Sequence, residues 1–294
     1  MAARWLKVLA AAPVMLSLLS GAPARALVPY VAVPSATNLE GSGLGIAQAA
    51  ARLLRLGQAE DAARLAALTV QLMPADPRGW VLLAEAQLRS NQDEQAALAL
   101  AKARELDPDN AGILFAQGSL ALKASQPDQA AQLIREGLRL DSSNAGAYFD
   151  LGNAFILMGR SREALAAFER ASGLRNGFWE AINNQALVLY EQQNDSAAIQ
   201  RWRQVLSIKP AAEPSLALAA ALNQRQPGNG ESLELAARAL AAEPNYVLES
   251  YQKEQLWGQR LRGVTTRLLA DPSLRADVER AQANAGADDA LNDD

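Results

Sequence analysis

Stepping along this 294-residue chain by 34 residues from Gly43 brings like residues into register six times without an insertion, over 43–76, 77–110, 111–144, 145–178, 179–212 and 213–246. A period of that length constrains the fold strongly, because a unit too short to bury its own apolar face must stack on its neighbours. Position 8 of the unit is Ala50, Ala84, Gly118, Gly152, Ala186 and Ala220, and position 20 is Ala62, Ala96, Ala130, Ala164, Ala198 and Ser232. Position 4 is bulky throughout (Ile46, Trp80, Leu114, Tyr148, Ile182, Leu216), and position 24 runs Ala66, Leu100, Ile134, Phe168, Trp202, Ala236. Small residues let two helices approach closely, and large ones fill the gaps that remain. Turn formers near position 15 (Gly57, Asn91, Ser125, Gly159) separate the two helices. At position 32, Pro74, Pro108, Pro210 and Pro244 sit just past the second helix, which proline cannot continue. Each unit is therefore predicted to be a helical hairpin, and the stack a superhelix with a concave inner face. Abundant alanine and a low aromatic content of 5% agree with close-packed helices.

The pattern resembles the tetratricopeptide repeat, W-x2-L-G-x2-Y followed by A, F, A and P. The fourth repeat carries the best match, in Tyr148, Leu151, Gly152, Phe155, Ala164, Phe168 and Ala171. The second follows with Trp80, Leu83, Ala84, Ala96, Leu100, Ala103 and Pro108. The sixth departs mildly, with Ser232 at position 20 and Pro227-Gly228-Asn229-Gly230 loosening its turn. The resemblance implies an all-α, right-handed superhelical solenoid of about six helix-turn-helix repeats. It also implies that the first helix of each repeat lines a protein-binding groove through positions 2, 5, 9, 12 and 13. By register these are Arg78, Val81, Glu85, Leu88 and Arg89 in the second repeat and Phe115, Ser119, Leu122 and Lys123 in the third. The fourth contributes Phe149, Asn153, Ile156 and Leu157, and the fifth Glu180, Asn183, Leu187, Tyr190 and Glu191. An apolar centre with a charged rim suits a binding face. Asn153 and Asn184 are placed to hydrogen-bond the backbone of an extended ligand, while Phe115 and Phe149 have an alternative reading as packing between adjacent repeats.

Some members of the family clamp a C-terminal carboxylate with Lys or Arg and Asn. Here Asn153 and Asn184 fit two clamp positions, but Phe149, Pro214 and Leu218 stand where the cations would be. An apolar or mixed polypeptide segment is the expected ligand, not a chaperone tail. With no cysteine and no histidine, Cys/His zinc sites and Ser-His-Asp relays are excluded, and no cofactor is expected. A formal charge of −4 without a basic stripe argues against a nucleic-acid partner. No acid, base and nucleophile converge in the sequence, so a non-enzymatic scaffold is expected; an enzyme using Asp and Glu alone is the alternative of a different class. Gly41-x-Gly43-x-Gly45 lacks the strand and lysine of a phosphate loop and reads as a flexible entry into the first helix.

The ends read differently. Arg4 and Lys7, an apolar stretch from Val8 to Leu19 and the small-x-small Ala24-Arg25-Ala26 form a secretory signal over 1–26, with an uncleaved membrane tether as the alternative. Pro29 and Pro34 make 27–42 an extended arm, ended by the glycines at 41 and 43. Beyond 246 the period stops. Residues 247–285 read as capping helices that shield the open end of the stack, with one helix from Tyr246 to Leu261 presenting Leu248, Tyr251, Leu256 and Trp257 for burial. Asp271-Pro272 starts another helix, and 286–294 is an acidic tail. This layout, with Tyr251 to Arg262 reading YxxEQLWGxxLR, resembles exported repeat proteins of cyanobacteria and plastids. That resemblance implies a scaffold in the periplasm or thylakoid lumen that serves the assembly of photosynthetic membrane-protein complexes; the alternative is an envelope or secretion-machinery component.

Overall fold

The computed structural model describes residues 36–286. Six helical hairpins follow one another: α1 (Ala36–Arg55) with α2 (Ala59–Leu72), α3 (Pro77–Arg89) with α4 (Asp93–Leu106), α5 (Ala111–Lys123) with α6 (Pro127–Leu140), α7 (Ala145–Leu157) with α8 (Ser161–Leu174), α9 (Trp179–Glu191) with α10 (Asp195–Ile208), and α11 (Ala212–Arg225) with α12 (Gly230–Ala242). A 3-10 turn (Pro244–Val247), α13 (Glu249–Glu254), α14 (Gln259–Leu269), a second 3-10 turn (Pro272–Leu274) and α15 (Arg275–Asn284) complete the chain, with no strand among the described residues.

The hairpin turn has a backbone signature. Gly57, Asn91, Ser125, Gly159 and Gln193 all have positive φ, between 57° and 78°. They share one repeat position, so five hairpins turn through the same left-handed residue whether or not glycine fills it. In the sixth, Gly228 takes that role one position later (φ 72°). The starts of the first helices use side-chain caps while the sequence supplies them: Asp76, Asn110 and Asn144 accept from the backbone N–H of Arg78, Gly112 and Ala147. Phe178 and Ala211 at the starts of α9 and α11 offer no such bond.

Inside each hairpin the small and large columns meet. A Cβ on Gly152 would run into the ring of Phe168, and one on Gly118 into the side chain of Ile134. Both large residues are fully buried. Position 8 is thus small because position 24 of the same repeat lies against its backbone. Even Ser232, the departure at position 20, is buried and returns its hydroxyl to the carbonyl of Asn229 at 2.6 Å.

Two expectations about the flanks are corrected. Helix α1 begins at Ala36, so residues 36–42 of the expected arm are helical and Gly41, Gly43 and Gly45 lie inside the helix; the rest of the arm, the signal and the acidic tail beyond Gly286 fall outside the described residues. Three scattered glycines cost α1 helix propensity, but as part of a 20-residue helix packed on α2 they do not end it. The continuous helix expected from Tyr246 to Leu261 is broken. Leu256 adopts φ 63°, and the backbone turns between α13 and α14.

Candidate functional site

In the middle of the inner face, from the third to the fifth repeat, consecutive first helices are joined by one kind of pair: position 9 of one repeat meets position 6 of the next. Ser119 on α5 donates to Asp150 on α7 at 2.5 Å. Asn184 on α9 donates its amide to Asn153 on α7 at 3.1 Å. The corresponding residues one repeat on, Leu187 and Leu218, are both buried apolar side chains. Polar pairs in the middle of the stack thus give way to an apolar pair towards its C-terminal end. Among the described residues Asp150 is in no ion pair, and burial raises its carboxyl above the usual range against the opposing pull of the Ser119 hydroxyl.

The inner face changes character for a reason the repeat does not contain. In the position-9 column, Glu85 and Ser119 are exposed and Asn153 half-buried, while Leu187 is 5% and Ala221 2% exposed. The cover is the C-terminal segment. Helix α14 crosses α11 and the end of α9, and Trp257, Leu261, Val264 and Leu268 join Leu187, Tyr190 and Leu218 in one buried cluster. The contact has polar anchors as well. The Trp257 indole N–H donates to the Glu213 carboxylate at 3.0 Å. Glu191 accepts the backbone N–H groups of Arg260 and Leu261 at 3.1 and 2.9 Å, so the fifth repeat caps the start of α14. Arg260 makes a two-pronged bond to Asp195 at 2.6 and 2.9 Å, donates to the carbonyl of Tyr190 and stacks on its ring. Gly258 lies so close to Glu191 that a Cβ there would overlap its carboxyl. Burial raises the Glu213 carboxyl, partly offset by the hydrogen bonds from Trp257 and Asn183.

The expected groove residues accordingly separate. Glu85, Ser119, Lys123 and Leu157 are exposed, and Val81, Leu88, Leu122, Asn153, Ile156 and Asn184 half-buried. Glu85 pairs with Arg89 at 2.8 Å and Lys123 with Asp93 at 2.8 Å. Leu187 and Tyr190, expected to face a ligand, are instead covered by this chain's own C-terminal segment. Phe149 stacks on Phe168 and Phe178 at centroid separations of 5.7 and 5.2 Å, and Phe115 presses on Gly137 of α6. Both rings thus pack within their own repeats, between the two helices and, for Phe149, against the loop after α8, and each stays half-buried. Asn183 is buried and accepts from the Trp202 indole at 3.2 Å. Asp150, Glu213, Asp195 and Arg260 belong to this face although the repeat pattern does not pick them out. Asp150 and Glu213 carry no repeat signal, and the pairing of Arg260 with Asp195 spans 65 residues.

Elsewhere, a cleft of about 440 Å³ between α4, α5 and α6 is lined by Ala97, Leu120 and Leu133 with Arg104 at its edge. No group of His, Cys, Asp and Glu among the described residues is arranged to hold a metal ion, and no helix among them is long and apolar enough to cross a membrane.

These features define an α-solenoid of 34-residue helical hairpins whose inner face is half open and half filled. The tetratricopeptide repeat family model matches residues 121–178, from the end of α5 through the fourth hairpin, so this part of the stack carries the family's pattern. The solved structure of pilF from Pseudomonas aeruginosa is similar with a TM-score of 0.54 at 16% identity, covering 84% of this chain and 99% of that one. MamA from Desulfovibrio magneticus RS-1 gives 0.53 at 18% identity, covering 59% and 97%. YrrB, described as a TPR protein with an unusual peptide-binding site, gives 0.50 at 17%, covering 66% and 98%. At these identities the likeness is one of fold. No curated protein matches the sequence.

Proposed function

We propose that the chain is a non-catalytic scaffold that binds polypeptide segments on the open half of its inner face, across repeats two to four. The observation that carries this reading is the position-9 column, which stays accessible in Glu85, Ser119 and Asn153 and closes at Leu187. The Ser119–Asp150 and Asn153–Asn184 pairs offer hydrogen-bonding groups to an extended backbone, and exposed Leu157 offers apolar surface beside them. The Asp150 carboxyl, held by the Ser119 hydroxyl but in no ion pair among the described residues, favours a segment carrying a basic or hydrogen-bond-donating side chain at that point. A photo-reactive residue in place of Asn153 tests this against one in place of Leu98, which is 73% exposed on α4. Partner cross-links are expected from position 153 and not from 98. The same partners captured equally from both positions would overturn the reading.

The proposal extends to an exported compartment, periplasm or thylakoid lumen, on the strength of the basic, apolar and small-residue pattern that ends at Ala26. Assembly of membrane complexes, photosynthetic ones included, is the work proposed for it there. N-terminal sequencing of the native protein is then expected to find Leu27 first. A soluble pool beginning at Met1 or Ala2 would contradict export.

A further inference from the structure

The segment that fills the groove of repeats five and six is built like a bound peptide. Trp257 is buried in the floor with its indole N–H on Glu213. Gly258 passes over Glu191 where no side chain fits, and Arg260 reaches Asp195 at the rim. Three carboxylates of the repeats thus meet the segment, Asp195 through an ion pair with Arg260 and Glu213 and Glu191 through N–H donors, an arrangement of complementary donors and acceptors that selects its occupant.

The segment is also held imperfectly. Five buried side-chain nitrogen or oxygen atoms among the described residues have no hydrogen-bond partner, and four of them belong to this segment or the face beneath it: Tyr190 Oη, Gln252 Oε1, Arg262 Nε and Thr265 Oγ1. Buried polar groups are ordinarily paired, so four without a protein partner at one contact set it apart from the rest of the described fold. Leu256, immediately before Trp257, carries the left-handed φ of 63° that a bulky residue adopts only under constraint.

We infer that the inner face of repeats five and six is a recognition site for a polypeptide segment with the signature aromatic–Gly–x–Arg–Leu, filled in this chain by its own residues 257–261 and opened to a partner of the same chemistry when that segment swings out. The occupant needs an aromatic N–H donor for Glu213, glycine for the close pass over Glu191, and a planar fork for Asp195. A lysine would meet only part of that last demand. Displacement exchanges one set of these contacts for another, so a partner with better-satisfied polar groups can win without new surface. This site is separate from the open half of the groove, and either reading can fail without the other.

The test uses the full chain and a labelled synthetic peptide of residues 251–269. Arg260→Glu places a carboxylate against Asp195 and should release the segment. The variant is expected to bind the wild-type peptide about tenfold or more tightly than the wild-type chain does, and a peptide bearing R260E is expected to bind neither. Absence of peptide binding by a variant that keeps its helical circular dichroism would overturn the inference. Hydrogen exchange on the wild-type chain stands independently of that variant's folding: amides of α14 are expected to exchange as a block faster than those of α9 and α11. Protection of α14 equal to theirs would make the segment permanent core and overturn the inference. A concentration-dependent wild-type dimer dissolved by the peptide would replace the partner by a second copy of this chain.

Discussion

The guanidinium of Arg260 stacks on the ring of Tyr190, 4.0 Å from its centroid, and donates to the carbonyl of the same residue across 70 residues of sequence. The ring, fully buried, also packs on Trp202 at 5.6 Å, so the cation rests on the core of the fifth repeat. Replacing Arg260 by lysine keeps the charge and loses the planar stack and the two-pronged bond to Asp195. A loss of about 1 kcal/mol in urea denaturation is expected. An unchanged midpoint would show the contact to be energetically idle.

Trp257 and Leu248 should part company. Trp257 is 3% exposed, whereas Leu248, expected from its spacing to be buried beside it, is 39% exposed. Trp257→Ala is expected to cost about 3–5 kcal/mol, and Leu248→Ala less than about 0.5 kcal/mol. Ending the chain after Asn245 removes both together with Leu261 and Leu268, so the melting temperature should fall or the exposed face should aggregate. Equal effects of the two point variants in thermal melts would contradict the placement of α13.

Gly152→Ala should destabilise by about 1–3 kcal/mol, because the added methyl meets the buried ring of Phe168. Coupling it to Phe168→Leu should recover part of the loss. A double-mutant cycle with no interaction energy would mean that the two columns are not in contact.

Stability should depend on pH through Glu213 in the unusual direction. Burial, the largest cause, raises its folded pKa above the unfolded value, so between the two the folded state binds more protons. Stability from this group is therefore full on the acid side and is lost as pH rises through the folded pKa. Asp150 shifts the same way for the same reason. Glu213→Gln, which can still accept from Trp257, should flatten that part of the profile in denaturation curves measured from the ordinary carboxylate range upward. A slope unchanged by the substitution would assign the dependence elsewhere.

Ser125 and Gln193 hold the left-handed turn position with φ of 57° and 64° where two other repeats have glycine. Glycine at either site relieves about 1 kcal/mol of backbone strain and gives part of it back in unfolded-state entropy. A modest gain, up to about 0.5 kcal/mol, is expected in thermal melts. A clear loss would show that these side chains are held by contacts outside the turn.

The repeat register was legible in the residues because each hairpin repeats one local problem. Gly118 against Ile134, Gly152 against Phe168 and the turn at Gly159 are set by residues within one 34-residue unit, and helical periodicity reports such contacts directly. Even where the chemistry of a position varied, as at Gln193, the stacking of the flanking hairpins imposed the same backbone. The groove was not legible in the same way. Position 9 turns from polar in Glu85, Ser119 and Asn153 to apolar in Leu187 and Ala221, but nothing within those repeats says what covers the apolar end. The answer lies in Trp257, Arg260 and Leu261, beyond the last repeat. Their own spacing predicted a single helix ending the stack, whereas the turn at Leu256 redirects α14 onto the inner face. Contacts that span 65 to 70 residues leave no periodic trace, since each is made once. Which inner residues remain free to meet a partner was therefore decided by tertiary packing, where the burial of Trp257, Leu261 and Leu268 on α9 and α11 outweighs the unpaired polar atoms left beneath them.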